Sequence, residues 1–344
     1  MNRTLSTLCR GLVLLLCLGG SSLHAQDIHF SQYYNSPFSV NPSLAGMYEG
    51  DQRFGITYRS QWQSALVPYT TLLGSYDQKL TFGASEKGFF SGGLQFYYDA
   101  AGEANLSTTN LSVVGSYSFV LNEESYLSIG LQAGAAQRSF NLAKLSFDSQ
   151  WNGEQFDPTR AIQEDFDRTS IFYPDFGGGV NFHGRQRDRR TALDVGVALF
   201  HPFRPNQSFA ADDPSNLPVR YSLYLLPTLQ VTDRLDFVLH GMAQIQSVNV
   251  EALGGGSLRV HLNTQPGKRL AVQAGGAYRF NSIGDAFIPS VELFYRGWQA
   301  AFSYDINVSG FSVATNRNGG PEFTIRHIIT HVKPLREFKL CPLI

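Results

Sequence analysis

Apolar and polar residues alternate in segments roughly ten residues long from about Arg53 to Thr330. Between Gly297 and Asn307 the even positions Trp298, Ala300, Phe302, Tyr304 and Ile306 fall on one face, and Gln299, Ala301, Ser303, Asp305 and Asn307 on the other. Side chains of a strand point to opposite faces in turn, so the pattern predicts a wall with one apolar and one polar side. About fourteen such segments follow one another, the first at Arg53–Trp62 and the last at Glu322–Thr330. An even count of long alternating strands predicts an all-β protein, a transmembrane antiparallel β-barrel. A soluble sandwich shares the period but would usually need shorter strands. On the barrel reading, Arg in place of Phe302 damages the lipid-facing wall, and Arg in place of Ser303 is far milder.

The connections alternate loosely in length. Turns at Asn122–Glu124, Thr232–Arg234 and Pro266–Lys268 are short, whereas Phe140–Ser170 and Pro202–Pro218 are long. Outer-membrane barrels carry short periplasmic turns and longer outer loops, which predicts that the long segments face the exterior. Glycines inside strands, including Gly130, Gly134 and Gly177–Gly179, are read as bends, bulges or close packing against lumen contents. A phosphate-cradling loop does not fit, because alternation and not a helix follows Gly179.

The chain ends differ from this body. Arg3 and Arg10 flank a polar start, an uncharged leucine-rich run covers Gly11–Gly20, and Ala25 offers a small residue for cleavage. That run is about half of the roughly 20 residues a spanning helix needs, so residues 1–25 read as a signal peptide. Residues 26–51 lack alternation and hold Phe30, Tyr33, Tyr34, Pro37, Phe38, Asn41 and Pro42. They are expected to form an ordered N-terminal arm, periplasmic or plugging the barrel. The barrel is assigned to 52–332 and a tail to 333–344.

Composition adds limits. The hydrophobic fraction is 43% and mean hydropathy is slightly negative, which suits a wall with only alternate residues in lipid. The net charge of −1 gives no support for nucleic-acid binding. Of three cysteines, Cys9 and Cys17 fall in the signal segment, leaving Cys341 alone. The basic cluster Arg185, Arg187, Arg189, Arg190 reads as a solvated hairpin loop, with lipid or partner contact as the other reading. Aromatics at strand ends, among them Trp62, Tyr69, Tyr97, Tyr98 and Trp298, suit interfacial girdles.

Catalytic signatures are absent from the sequence: it has no His-Glu-x-x-His string, no phosphate-binding loop and no nucleophile elbow, since Gly255-Gly256-Ser257-Leu258-Arg259 lacks the second glycine. A non-enzyme without cofactor or metal is expected. In the long loop, Asp148, Glu154 and Asp157 stand among Phe147, Trp151 and Phe156. A solvated acidic loop, a protein contact and a calcium site all remain open there, with the aromatics favouring contact over calcium.

Local strings then become specific. Gln26-Asp27-Ile28-His29-Phe30-Ser31-Gln32-Tyr33 is followed by Pro37, Asn41-Pro42 and Ala45-Gly46, then Tyr58-Arg59 and Gln61-Trp62. Phe147-Asp148, Phe156-Asp157-Pro158, His201 with Pro205, Ser208 and Phe209, Arg220-Tyr221, Tyr278-Arg279, Ser303-Tyr304-Asp305-Ile306-Asn307 and Gly320-Pro321-Glu322 continue the series. In order and spacing the chain resembles the PorP/SprF family of type IX secretion system outer-membrane proteins, from which Ile344 departs, where an aromatic is often last. The resemblance implies an outer-membrane barrel of gliding or surface-protein-exporting Bacteroidota. Its implied partners are secreted cargo proteins with a C-terminal sorting domain, periplasmic components of the same system and outer-membrane lipids. It brings no catalytic residues. Phe30, Ser31, Gln32, Tyr33, Asn41 and Pro42 are the candidates for an arm or partner-binding role. Phe147, Trp151, Phe156, Asp157, His201, Pro205 and Phe209 are the candidates for extracellular contact. A porin-like channel for small solutes is the competing function.

Overall fold

In the computed structural model, residues 27–62, 68–80, 87–162, 166–210, 214–265, 267–281, 286–308 and 316–330 are described. The expected signal peptide and tail lie outside them. Fourteen antiparallel strands close into one barrel: β1 Gln52–Gln61, β2 Tyr69–Lys79, β3 Gly88–Ala101, β4 Leu106–Asn122, β5 Ser125–Ser139, β6 Ser170–Arg185, β7 Ala192–Phe200, β8 Arg220–Gln230, β9 Leu235–Gln246, β10 Asn249–Asn263, β11 Leu270–Asn281, β12 Ala286–Tyr295, β13 Trp298–Asn307 and β14 Asn318–Ile329. The seam pairs β1 with β14 from Gln52↔Ile329 to Arg59↔Glu322. Closure leaves no free edge along that seam, which is what a membrane demands of a sheet.

The alternation divides two environments. Outward residues such as Ile56, Leu111, Leu131, Leu223 and Ile325 are 50–70% exposed. Their neighbours Thr57, Asn110, Gln132, Ser222 and Thr324 are buried. An apolar outside around a buried polar inside marks a lipid-facing wall. Two expectations change at this point. Tyr97, read as a girdle aromatic, turns inward and is 7% exposed, because Tyr97 and Tyr98 are adjacent and cannot share a face. Ser303 is 0% exposed, so the inner face at that position is enclosed and not an open channel lining.

The rim at which β1 begins bears short connections, such as 123–124, 231–234 and 296–297, and is called the turn rim. The opposite loop rim carries both long connections, 140–169 and 201–219. The wall is uneven: β4 has 17 residues and β6 has 16, against 9 in β7. Three of the four arginines of the basic cluster at the β6–β7 turn are ion-paired within the chain. Arg190 meets Asp236 at 2.9 Å, Arg185 meets Glu49 at 2.5 Å, and Arg187 meets Glu123 at 3.4 Å.

Candidate functional site

Residues 27–51 run through the lumen from the loop rim to the turn rim. Their partners lie on strands all around the barrel, including β1, β2, β6, β8 and β14, and only the interior gives access to all of them. The arm thus lies within the barrel.

At the loop rim, the Asp27 backbone N–H donates to Gln246 at 3.0 Å. The Asp27 carboxylate lies 2.8 Å from Nε2 of His201 and 3.2 Å from Arg220. Nδ1 of His201 lies 2.6 Å from Asp175, so the imidazole bridges arm and wall. Burial disfavours a charged ring, yet Asp27 and Asp175 outweigh it, and the His201 pKa is pushed up to about 9. Burial likewise opposes the Asp27 charge, but Arg220 and His201 overcome that cost and hold its carboxyl well below the usual range. Phe30 packs fully buried against Leu73 and Tyr97.

Ser31 sits at the centre of a charged network. Its hydroxyl donates to Asp305 at 2.5 Å and accepts from Arg59 at 3.0 Å and Arg279 at 2.5 Å. Consecutive backbone N–H groups of Ser31 and Gln32 donate to the two Glu322 oxygens at 2.7 and 2.8 Å. Arg59 and Arg279 both meet Asp305, at 2.7 and 2.6 Å. Four buried charge-bearing side chains are tolerable only when paired and hydrogen-bonded, and the arm backbone supplies two of the donors.

Below this network Tyr34 donates to Glu292 at 2.8 Å, and Tyr33 joins a core with Val40, Leu44, Tyr224 and Ile288. Pro37 opens the one-turn helix α1, Pro37–Val40, at a position where its missing N–H costs nothing. Asn41 then caps the following turn, accepting from the Ser43 N–H at 2.9 Å, while its amide donates to the carbonyls of Val180 and Val197 at 3.0 and 3.1 Å. The strand glycines make room for it: a Cβ at Gly179 would stand 2.3 Å from the Asn41 oxygen, and one at Gly130 would stand 2.3 Å from the Ser43 nitrogen. Pro42 is buried in the same contact. At the turn rim Gly46 donates to Asp77 at 2.7 Å, and Glu49 reaches Arg185 and Arg269.

A cavity of about 330 Å³ opens at the loop rim beside His29, Asp99 and Arg138, and one of about 640 Å³ at the turn rim beside Arg190, Arg259 and Asp194. The arm lies between them. Among the described residues no His, Cys, Asp and Glu cluster is placed to hold a metal ion.

The contact candidates separate into two groups. Phe147, Phe166, Phe140 and Phe209 form a chain of rings at 6.0, 5.1 and 4.7 Å, with the Arg138 guanidinium 5.7 Å above Phe209. Trp151 and Phe156 face each other across a small hairpin and remain 53% and 44% exposed. Arg160 donates to the Trp151 carbonyl, and Asp157 accepts from the backbone and hydroxyl of Thr159. The Pro205 carbonyl accepts from Leu217. His201 lies elsewhere than its assignment to surface contact required: it is 3% exposed and holds the arm. Sequence reasoning did not find Arg59, Arg279, Asp305 and Glu322 as a set. The available signal was a charged residue at an inward position of four separate strands.

A closed barrel, apolar outside and polar within, with its own N-terminal arm lodged across the lumen, defines an outer-membrane β-barrel of the plugged kind. The chain belongs to the family described as "Type IX secretion system membrane protein PorP/SprF", whose model matches residues 22–326. Among solved structures it is similar to the toluene transporter TbuX of Ralstonia pickettii, at 10% identity over 86% of this chain and 94% of that one, with a TM-score of 0.48. It is also similar to the monoaromatic hydrocarbon channel CymD, at 11% identity, 86% and 93% coverage and a TM-score of 0.49. A FadL homologue of Pseudomonas aeruginosa gives 12% identity, 83% and 91% coverage and a TM-score of 0.46. No curated protein matches the chain.

Proposed function

We propose that this type IX membrane protein is a non-enzymatic partner of secreted surface proteins, which it binds, delivers or anchors through their C-terminal sorting domain. On this reading cargo meets the loop rim outside the cell, and periplasmic components of the system meet the turn rim. The observation that carries it is the arm: a lumen crossed by a segment hydrogen-bonded to so much of its wall offers two decorated mouths more readily than a pore. The exposed Trp151–Phe156 hairpin adds the aromatic surface expected of a protein contact.

The test is replacement of Phe30 and Tyr33 together by Ala, with cargo display scored on intact cells. Near-normal outer-membrane levels with lost display or retention support the proposal, whereas wild-type display rejects a role for the arm. Planar-bilayer recordings address the channel alternative, since large stable openings of the wild-type protein would favour solute transport. Cysteine at Ser149 fixes orientation: it should label in intact cells with an impermeant thiol reagent, and labelling only after lysis would invert the topology.

A further inference from the structure

Two donors without acceptors line one pocket behind the arm. The pocket, of about 100 Å³, lies between arm residues and inward positions of β1, β7, β8 and β14. Tyr33 lines it and is 1% exposed, yet its hydroxyl has no hydrogen-bond partner among the described residues. Arg326 lines it too, and Nε of that guanidinium is likewise buried without a partner. A guanidinium nitrogen can only donate, and a phenol hydroxyl is ready to, so the pocket wants an acceptor. The other polar side chains on its wall are engaged. Tyr34 donates to Glu292 and Tyr224 to Asn181, Asp194 meets His183 at 2.9 Å, and Arg53 is held by Asp77 and by the Leu44 carbonyl.

Charge is out of balance in the same place. The charged groups that act most strongly on Arg326 are Arg53 and Arg259, of its own sign, and Asp77 and Glu292, of the opposite one. Asp77 is taken up by Arg53 through two bonds, at 2.8 and 2.9 Å. Glu292 is left to serve Arg259 and Arg326 together, and it already accepts from Tyr34, Gln273 and Gln299. Three guanidinium groups thus face two carboxylates. Water in the pocket would satisfy both donors and leave the surplus charge, which is costly away from solvent without a counter-charge. A metal cation would add to the surplus. We propose that the pocket holds one small monovalent inorganic anion, of the size of chloride, bound by Arg326 and the Tyr33 hydroxyl. The volume admits such an ion with a water or two, at roughly 30 Å³ for each molecule. Met47 and Asp194 line both this pocket and the turn-rim cavity, so the ion has a route from that mouth. Once bound, it joins the arm, through Tyr33, to β14, through Arg326.

The test uses the full-length barrel in detergent, with bromide as the probe. Crystals grown in sodium bromide should show an anomalous peak in the pocket, within hydrogen-bond reach of the Tyr33 hydroxyl and Nε of Arg326. The unfolding midpoint should be higher in sodium chloride or bromide than in sodium gluconate at equal ionic strength, because gluconate is too large for the pocket and only a bound ion stabilises the folded state. Tyr33→Phe keeps the ring and removes one donor to the ion. It should raise the halide concentration needed for that shift about tenfold. Arg326→Gln should abolish the difference between halide and gluconate. An empty pocket in the bromide map, or bromide only at the exposed Arg185 and Arg269, overturns the proposal. A halide effect that Arg326→Gln leaves unchanged also overturns it, since the ion then acts elsewhere. Should Arg326→Gln fail to fold on unheated gels, the bromide map of the wild type and the Tyr33→Phe titration decide.

Discussion

The outer and inner faces of the barrel wall share one period and obey opposite rules of solvation. Outside, Phe302 and Phe323 sit 4.8 Å apart on a surface that lipid covers. One residue away, Ser303 is fully enclosed and Glu322 holds the arm. A water-filled barrel would tolerate change on its polar face. Here the plug turns that face into a core, so polar no longer means permissive.

The largest expected loss follows from removing one inner charge. Arg59→Met leaves Asp305 and Glu322 short of a partner where both are buried, and should lower unfolding stability by about 3 to 5 kcal/mol in urea titrations of the detergent-folded barrel. An unchanged midpoint would show that water reaches the network. Next, Phe302→Arg should cost about 2 to 4 kcal/mol near the bilayer midplane. Ser303→Arg should cost at least as much, contrary to what alternation alone implies, because the side chain has no room beside the arm. A mild Ser303→Arg alongside a severe Phe302→Arg would restore the open-channel view.

A smaller effect belongs to the loop-rim latch. The His201 pKa is raised from 6.5, so its contribution is complete below that value and fades as pH climbs through about 9. The Asp27 pKa is depressed, so its contribution is present above the ordinary carboxylate range and fades on acidification. Protection of residues 27–31 against hydrogen exchange, taken relative to the intrinsic rate at each pH, should therefore be greatest near neutrality and fall above pH 9. His201→Asn should remove the alkaline step. Smallest of all, Glu49→Gln should change stability by less than about 1 kcal/mol, because both of its ion pairs stand in solvent.

The strands were legible because lipid enforces period two: the first, expected at Arg53–Trp62, is found at Gln52–Gln61. β14 begins four residues before its expected start at Glu322. Asn318-Gly319-Gly320-Pro321 reads as a turn, yet Asp305↔Gly320 pairing draws it into the sheet, and Gly320, φ 142°, lies against the Ser60 carbonyl. Tertiary contact overrides local preference there. In the arm, aromatics and prolines announced order. Its binding surface was hidden, because Arg59, Arg279, Asp305 and Glu322 are single charges far apart in sequence that only closure brings together. His201 was misplaced for a related reason, since a histidine at the start of a long loop carries no sign that a distant Asp27 will bury it.

The seam between β1 and β14 gives the arm a place in time. Arg59 belongs to one side of that joint and Glu322 to the other, and Ser31 is bonded to both. Zipping the last pair of strands and seating the arm therefore complete the same set of bonds. A nascent sheet with an empty interior has no full complement of partners to close upon. The seated arm and the sealed seam thus share one set of bonds, and whatever removes the arm also strips partners from the charges at the joint.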